Sequence, residues 1–241
     1  MFFRQIGFDL LIQVLLMRNF IFEVNDFIYE KQDSGEQTYV SRYNFQMKRL
    51  FDFMTALLGL ILLFPLFMVI SFLIKINDKG PAFFKQKRVG KGGVLFVLYK
   101  FRTMRVLEGT KDGLFEPGNI SRITTFGSFL RRSKLDELPQ LFNVLIGNMS
   151  IVGPRPEVEK WVAVYPERWG KVFSVKPGMT DKASILYRNE ESILVRSENP
   201  EKMYEETILP RKLELYEDYV AHNSLFGDLK LILKTLFCIL L

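Results

Sequence analysis

Two adjacent carboxylates, Asp136 and Glu137, follow three cations within residues 131–137, the densest group of charges in the chain. Pro139 suits the first turn of a helix over residues 140–146, because its missing amide donor is not needed there. This spacing places both carboxylates at or beside a helix N-terminus. Free amides and a partial positive charge at such an end stabilise phosphate as readily as carboxylate.

A purely structural role for these carboxylates stays open at this point. Ser133 and Asp136 have the spacing of a capping box, in which a serine hydroxyl and an acidic residue three positions later satisfy free amides at a helix start. Acidic residues in a first helical turn are also common, because they complement the helix dipole. The spacing alone does not decide between capping and catalysis.

A second candidate is Arg155, which lies between Pro154 and Pro156 and follows Gly153. The prolines restrict the backbone on either side, so little entropy is lost when the guanidinium binds an anion. Such rigid presentation favours bidentate phosphate recognition. A stiff surface turn is the alternative interpretation of the same tetrapeptide.

Other candidate side chains carry weaker signals. Lys100 and Arg102 lie at the end of a predicted strand, where they are either phosphate ligands or a solvated strand end. His222 lies in a polar stretch, which predicts a surface or capping role rather than a catalytic base. The single cysteine, Cys238, excludes an internal disulfide, and without a Cys/His cluster it argues against a thiolate metal site.

The composition fits a soluble domain that is bound to a membrane. Of the 241 residues, 48% are hydrophobic and 25% are charged, so both a wet and an apolar surface are available. A formal net charge of +6 favours anionic partners such as phosphate ligands, membrane lipids or nucleic acid. Nucleic acid is not expected, since the basic residues flank an apolar segment and no recognised binding motif accompanies them.

Residues 53–74 contain no charge and would extend about 33 Å as a helix, enough to span a bilayer. Pro65 near the middle predicts a bend, because it removes an amide donor and collides with the carbonyl of Ile61. Both flanks are basic, and the positive-inside rule then places both ends in the cytoplasm. These features favour a re-entrant helix, while an ordinary kinked spanning helix is the alternative.

The remaining elements are predicted from composition and periodicity. Residues 1–22 favour an interfacial amphipathic helix, and residues 23–46 a linker or partly ordered arm. Two β-rich runs around a glycine turn predict a β-hairpin over residues 80–104. Helical patterns dominate from residue 121, and residues 223–241 form a second surface-bound helix. The expected fold class is an α-rich α+β protein.

At these motifs the sequence resembles the bacterial sugar transferase family, the monotopic polyprenyl-phosphate phosphoglycosyl transferases. The resemblance covers about four fifths of the chain, and five motifs in the family's order make it specific. The motifs are Lys48-Arg49-Leu50-Phe51-Asp52, Gly80-Pro81 with Gln86-Lys87-Arg88-Val89-Gly90, Lys100-Phe101-Arg102-Thr103-Met104, Leu135-Asp136-Glu137-Leu138-Pro139-Gln140 and Gly153-Pro154-Arg155-Pro156-Glu157.

The resemblance implies a two-step reaction at the cytoplasmic face of the bacterial inner membrane. Asp136 would attack a UDP-sugar, release UMP and carry the sugar phosphate as an acyl phosphate, which polyprenyl (undecaprenyl) phosphate then accepts. It also implies a magnesium cofactor with Glu137 as its ligand, and phosphate contacts from Arg131 and Arg155, with help from Lys100 or Arg102. Larger relatives suggest a homodimer.

The resemblance implies a division of the chain as well. Residues 1–46 form the N-terminal segment and linker, and 47–241 the transferase domain. That domain would hold a monotopic re-entrant helix hairpin at about 50–76, kinked at Pro65, then a cytosolic catalytic part over 77–222 and an amphipathic helix over 223–241.

Two departures from the family pattern affect this comparison. Phe64 precedes Pro65, where relatives commonly place a serine whose hydroxyl could satisfy a freed carbonyl. Asp181 follows Thr180, where relatives usually continue with glycine. A rival hypothesis is a non-catalytic membrane-surface scaffold of the same fold that binds anionic lipid through its basic groups.

Overall fold

The computed structural model describes residues 37–77, 80–105 and 122–240, with side chains from residue 46 to 239. The amphipathic helix predicted over residues 1–22 lies outside the described residues, as does most of the predicted linker. Contacts divide the chain into two compact units, residues 1–47 and 48–241, and the second unit contains the elements described below except the first eleven residues of the first helix.

The first element is a long helix, α1, which spans Gln37–Asn77 and continues through Pro65. It begins inside the stretch predicted as a linker, so that prediction is wrong for residues 37–46. Those ten residues contain neither glycine nor proline, and nothing in them stops a helix from extending. The part Gln46–Asn77 is long and apolar enough to cross a membrane, with a mean hydropathy of 2.9 in its most apolar window.

One face of α1 is buried along the whole domain. Ala56 packs with Leu141 and Val144, while Phe67 and Ile74 join a cluster with residues of the hairpin and the next helix. The opposite face is exposed and apolar, comprising Met54, Leu58, Ile61, Leu62, Phe64, Met68, Val69, Phe72 and Ile76. A helix in water normally exposes polar side chains, so this face is suited to an apolar environment.

The predicted hairpin is confirmed. Strand β1, Phe83–Val89, pairs antiparallel with β2, Leu95–Phe101, with Val89 opposite Leu95 next to the turn. A single 3₁₀ turn over Lys91–Gly93 joins them, and its two glycines have positive φ, which side-chain-bearing residues rarely adopt.

The next segment is helical, as predicted. Helix α2, Thr125–Arg132, is capped by the Thr124 hydroxyl, which accepts a 2.9 Å hydrogen bond from the amide of Gly127. A 3₁₀ turn follows, Leu135–Glu137, and then helix α3, Gln140–Leu145. The expected helix over residues 140–146 is thereby confirmed to within one residue.

A short parallel pair of strands, which was not predicted from the sequence, begins after this segment in the chain. Strand β3, Ser150–Val152, pairs with β4, Gly178–Thr180. Two helices cross between them, α4 at Glu159–Val162 and α5 at Pro166–Val172.

The C-terminal quarter is helical. It comprises α6 (Lys182–Leu186), α7 (Glu190–Val195), α8 (Pro200–Met203), a π-helical turn (Tyr204–Ile208), α9 (Leu209–His222) and α10 (Leu225–Leu240). Trp161, Trp169 and Tyr204 anchor the core between these helices and α4 and α5. A helix is confirmed in the region 223–241 as α10, whose exposed side chains include Phe226 and Phe237.

Candidate active site

Asp136 and Glu137 lie in the 3₁₀ turn between α2 and α3, after Lys134, which adopts a left-handed backbone conformation with φ 58°. The capping interpretation of Ser133 is wrong. Its hydroxyl donates back to the carbonyls of Phe129 (2.9 Å) and Leu130 (3.2 Å), so it closes α2 instead of opening a helix. Ser133 therefore does not form a capping box with Asp136.

Glu137 is held by two cations. The Arg155 guanidinium donates through Nη1 to Oε2 at 3.1 Å and through Nη2 to Oε1, and Lys100 Nζ donates to Oε1 at 3.2 Å. Burial alone would raise the pKa of Glu137, but Arg155 first and Lys100 second outweigh burial and hold that pKa well below its usual range. Glu137 is therefore a permanent anion near neutral pH.

Asp136 differs from its neighbour in both contacts and charge state. Its side chain is 7% exposed, and its Oδ1 atom is buried without a hydrogen-bond partner. Burial, with the negative charge of Glu137 second, raises the pKa of Asp136 to about 6. Lys100 opposes that shift. A weakly solvated carboxylate with an uncommitted oxygen is a suitable nucleophile once it is ionised.

The short parallel sheet positions Arg155. The arginine follows β3 by three residues, and the carbonyl of Pro154 accepts a 2.9 Å hydrogen bond from the amide of Gly178 at the start of β4. Asp181, which directly follows β4, contributes a second negative charge near the Arg155 guanidinium, after Glu137. The prediction of a rigidly presented arginine thus has a structural basis in two paired strands.

The other two predicted phosphate ligands are Arg131 and Arg102. Arg131 donates through Nε to Thr103 Oγ1 at 2.9 Å and through Nη1 to Glu191 Oε1 at 2.7 Å, while its charge still lowers the pKa of Asp136. Arg102 is buried beside Gly80, where an added Cβ would lie 2.6 Å from its Nη1 atom. Lys100, at the end of β2, contacts Glu137 of the acidic pair.

Sequence reasoning gave no role to a second ion pair next to this site. Arg88 Nη1 donates to Glu157 Oε1 at 2.8 Å, and Tyr204 donates its hydroxyl to Glu157 Oε2 at 2.5 Å. Arg88 is among the charges that shift the pKa of Lys100. Arg88 and Glu157 both occur in the family motifs quoted above, and that position in the motifs is the sequence feature that could have indicated a role for them.

The acidic pair fits a magnesium ion that arrives with a phosphorylated substrate. Within the described ranges, no three His, Cys, Asp or Glu side chains are grouped closely enough to hold a metal on their own. The uncommitted Oδ1 of Asp136 and the adjacent Glu137 would supply one or two carboxylate ligands to such an ion. Magnesium usually binds proteins in this way and takes its other ligands from phosphates and water.

Comparisons with known proteins agree with the motif analysis. The model for the family described as bacterial sugar transferase matches residues 43–241. A UDP-glucose:undecaprenyl-phosphate glucose-1-phosphate transferase of Xanthomonas campestris pv. campestris is 40% identical over 196 residues, 78% of this chain and 37% of that protein. The exopolysaccharide production protein ExoY of Rhizobium meliloti (strain 1021) is 35% identical over 204 residues, 78% of this chain and 83% of that protein.

A third relative matches a shorter stretch more closely. The putative undecaprenyl-phosphate N-acetylgalactosaminyl 1-phosphate transferase of Bacillus subtilis (strain 168) is 47% identical over 111 residues, 46% of this chain and 62% of that protein. The chain spans only 37% to 41% of the length of three glucose-1-phosphate transferases that it matches. Because the family model covers well over half of the sequence, the chain belongs to the bacterial sugar transferase family.

Proposed function

We propose that this protein transfers a sugar 1-phosphate from a UDP-sugar to undecaprenyl phosphate through a covalent intermediate on Asp136. The observation that carries the proposal is the contrast within the acidic pair. Glu137 is fixed by Arg155 and Lys100, whereas Asp136 has a buried oxygen with no partner. The names of the relatives, which are undecaprenyl-phosphate sugar-1-phosphate transferases, support the same reaction class.

In the first step, a carboxylate oxygen of Asp136 attacks the sugar-bearing phosphorus of the donor. The bond from that phosphorus to the bridging oxygen breaks, UMP leaves with the electron pair, and an acyl phosphate forms. In the second step, a phosphate oxygen of the acceptor attacks the same phosphorus, which releases the Asp136 carboxylate and gives polyprenyl diphospho-sugar. One site can then serve a water-soluble donor and a lipid-bound acceptor in turn.

The surrounding charges suit a nucleophile that must approach an anion. Arg155 and Lys100 sit beside the acidic pair and favour phosphate oxygens, while Arg131 adds a third positive charge near Asp136. Bound magnesium, held by Glu137 or Asp136, would neutralise charge on the diphosphate. Burial of Asp136 keeps water away from the carboxylate and preserves its reactivity.

The contacts at both ends of α1 support a re-entrant arrangement on one membrane face. Near its start, Arg49 donates to the carbonyls of Val144 (2.7 Å) and Leu145 (2.9 Å). Near its end, Ile74 packs in the same cluster as Phe101. A helix that crossed the bilayer would separate these ends by the membrane thickness, whereas here both ends contact one domain. With basic flanks, that face is the cytoplasmic side of the inner membrane.

Replacement of the nucleophile tests the proposal. Asp136→Asn keeps the size of the side chain and removes the attacking charge, so we expect loss of UMP release and of the sugar-phosphate adduct. Asp218→Asn, at an exposed carboxylate of α9, is the matched control and should leave both unchanged. Intact-mass spectrometry of protein quenched during turnover measures the adduct, with a panel of UDP-sugars to find the donor.

Membrane binding of Asp136→Asn should match that of the unsubstituted protein. Normal turnover by this variant would show that another residue is the nucleophile. A protein that released no UMP from any UDP-sugar, and whose lipid binding weakened steeply with salt, would instead fit the scaffold hypothesis.

A further inference from the structure

An open groove of about 680 Å³ runs along α6 and α7, apart from the residues assigned to the acidic site. Its apolar lining includes Leu186 and Ile193, which are 61% and 39% exposed. Its cationic lining consists of Arg188 and Arg196. The groove thus combines two guanidinium groups with apolar side chains that the domain covers only in part.

The two arginines are not committed to carboxylates of the domain. In the ranges that the structure describes, neither Arg188 nor Arg196 takes part in an ion pair, and the nearby Glu191 of α7 pairs with Arg131. Two unneutralised cations in one groove attract a phosphate more strongly than a carboxylate-paired arginine does. The apolar lining requires that this phosphate carry a hydrocarbon chain.

The position of the groove links the acidic site to an apolar surface. On one side, the Glu191–Arg131 hydrogen bond of 2.7 Å joins α7 to α2, and Arg131 is one of the charges near Asp136. On the other side, Ile185 of α6 packs with Leu231 in the cluster that α10 completes. The outward face of α10 is exposed and apolar, which suits contact with lipid.

We propose that this groove binds the polyprenyl phosphate acceptor, with Arg188 and Arg196 receiving its phosphate and Leu186 and Ile193 contacting the first prenyl units. This assignment rests on the proposed function and adds to it the site of the second substrate. A UDP-sugar is polar along its whole length and would leave the apolar lining uncovered. An acceptor with one phosphate on a long hydrocarbon chain matches both parts of the lining.

The two half-reactions separate this inference from the proposed function. Adduct formation from the UDP-sugar needs no acceptor, whereas discharge of the adduct does. We expect the double variant Arg188→Gln/Arg196→Gln to form the adduct at a rate within twofold of the unsubstituted enzyme. Its KM for undecaprenyl phosphate in nanodiscs of neutral lipid should rise at least tenfold.

A matched control removes two exposed cations elsewhere. Lys171→Gln/Lys202→Gln changes the net charge equally and should alter neither half-reaction, so a general charge effect on acceptor recruitment is excluded. Leu186→Ser should also raise the acceptor KM without slowing adduct formation, because it shortens the apolar contact with the prenyl chain.

Three results would overturn the assignment. An unchanged acceptor KM would show that the acceptor binds elsewhere, and slower adduct formation would assign the groove to the donor. If the double variant lost binding to vesicles with anionic phospholipid while its acceptor KM in neutral nanodiscs stayed normal, the groove would be a phospholipid site. Failure of the unsubstituted enzyme to form any adduct would contradict the proposed function itself.

Discussion

At the scale of single residues, sequence motifs predicted the centre of the site better than its surroundings. Asp136, Glu137 and Arg155 were selected from charge density and proline spacing, and the fold brings the last two into direct contact. The motifs could not predict that Lys100 donates to Glu137, because that contact depends on where strand β2 ends. Nor could they show that Arg131 shares its guanidinium with Thr103 and Glu191, which are distant in sequence.

The charge state of Asp136 leads to a prediction about stability. Burial raises its pKa to about 6, above the ordinary value of 3.8, so the folded protein binds this proton more tightly than the unfolded chain. Protonated Asp136 therefore adds to the free energy of unfolding. This contribution is fully present below pH 3.8 and is lost as the pH rises through about 6. Asp136→Asn should therefore increase the free energy of unfolding at pH 8 by about 3 kcal/mol.

Thermal unfolding in detergent micelles at pH 4, 6 and 8 measures this effect. The increase should shrink as the pH falls and become small at pH 4, where Asp136 is protonated in the folded unsubstituted protein. Asp218→Asn should give no increase at any pH, because hydrogen bonding to Lys182 lowers the pKa of Asp218. An equal gain at all three pH values would mean that the ionised carboxylate of Asp136 is not strained by its surroundings.

At the scale of elements, the hairpin and the long helices were predictable, and the parallel pair was not. Strands β1 and β2 are seven residues each and flank a glycine turn, so their pattern is visible in the sequence. Strands β3 and β4 have three residues each, too few for a period to appear, and they are paired across two helices. The sequence feature that could have indicated this strand pair is its two glycines, Gly153 and Gly178, which allow the backbones to approach closely.

Close approach of the backbones at this pair leads to a second prediction. A Cβ on Gly178 would lie 2.1 Å from the amide nitrogen of Gly153, and backbone cannot rotate aside as a side chain does. Gly178→Ala should therefore separate the strands, destabilise the protein by about 2 to 3 kcal/mol and displace Arg155 from Glu137. Lower thermal stability together with slower adduct formation would be the expected result.

The matched control is Gly170→Ala in α5. An added Cβ there meets no atom within 4 Å, and alanine in a helix interior is favoured over glycine by about 1 kcal/mol. That variant should be slightly more stable and fully active. If Gly178→Ala were tolerated as well as Gly170→Ala, the strand pair would be loose, and rigid positioning of Arg155 would not be a property of this fold.

At the scale of the whole molecule, composition predicted membrane association, but hydropathy could not predict how the apolar helix meets the domain. The sequence has no charge over residues 53–74, so every side chain there is compatible with lipid. The fold distinguishes one buried face, with Ala56 and Phe67, from an exposed one, with Leu62 and Phe72. Such a division depends on tertiary packing, which a hydropathy average does not record.

Membrane topology is the prediction that belongs to this scale. Lys48 donates to the carbonyl of Val152 at 3.0 Å and pairs with Asp228 of α10, while the far end of α1 packs near β2. Because one domain holds both ends, a cysteine at Gln46 and one at Lys85 should be accessible from the same membrane side. The labelling uses Gln46→Cys and Lys85→Cys, each in a Cys238→Ser background that removes the natural thiol.

An impermeant maleimide should label both single-cysteine proteins in inverted vesicles and neither in intact spheroplasts. A cysteine in a known periplasmic protein of the same spheroplasts is the positive control for reagent access. Labelling of the two positions from opposite sides would establish a spanning helix. In that case the Lys48 and Ile74 contacts could not both form in the membrane-bound protein, since a domain on one side of the membrane cannot contact helix residues on the far side of a bilayer core of about 30 Å.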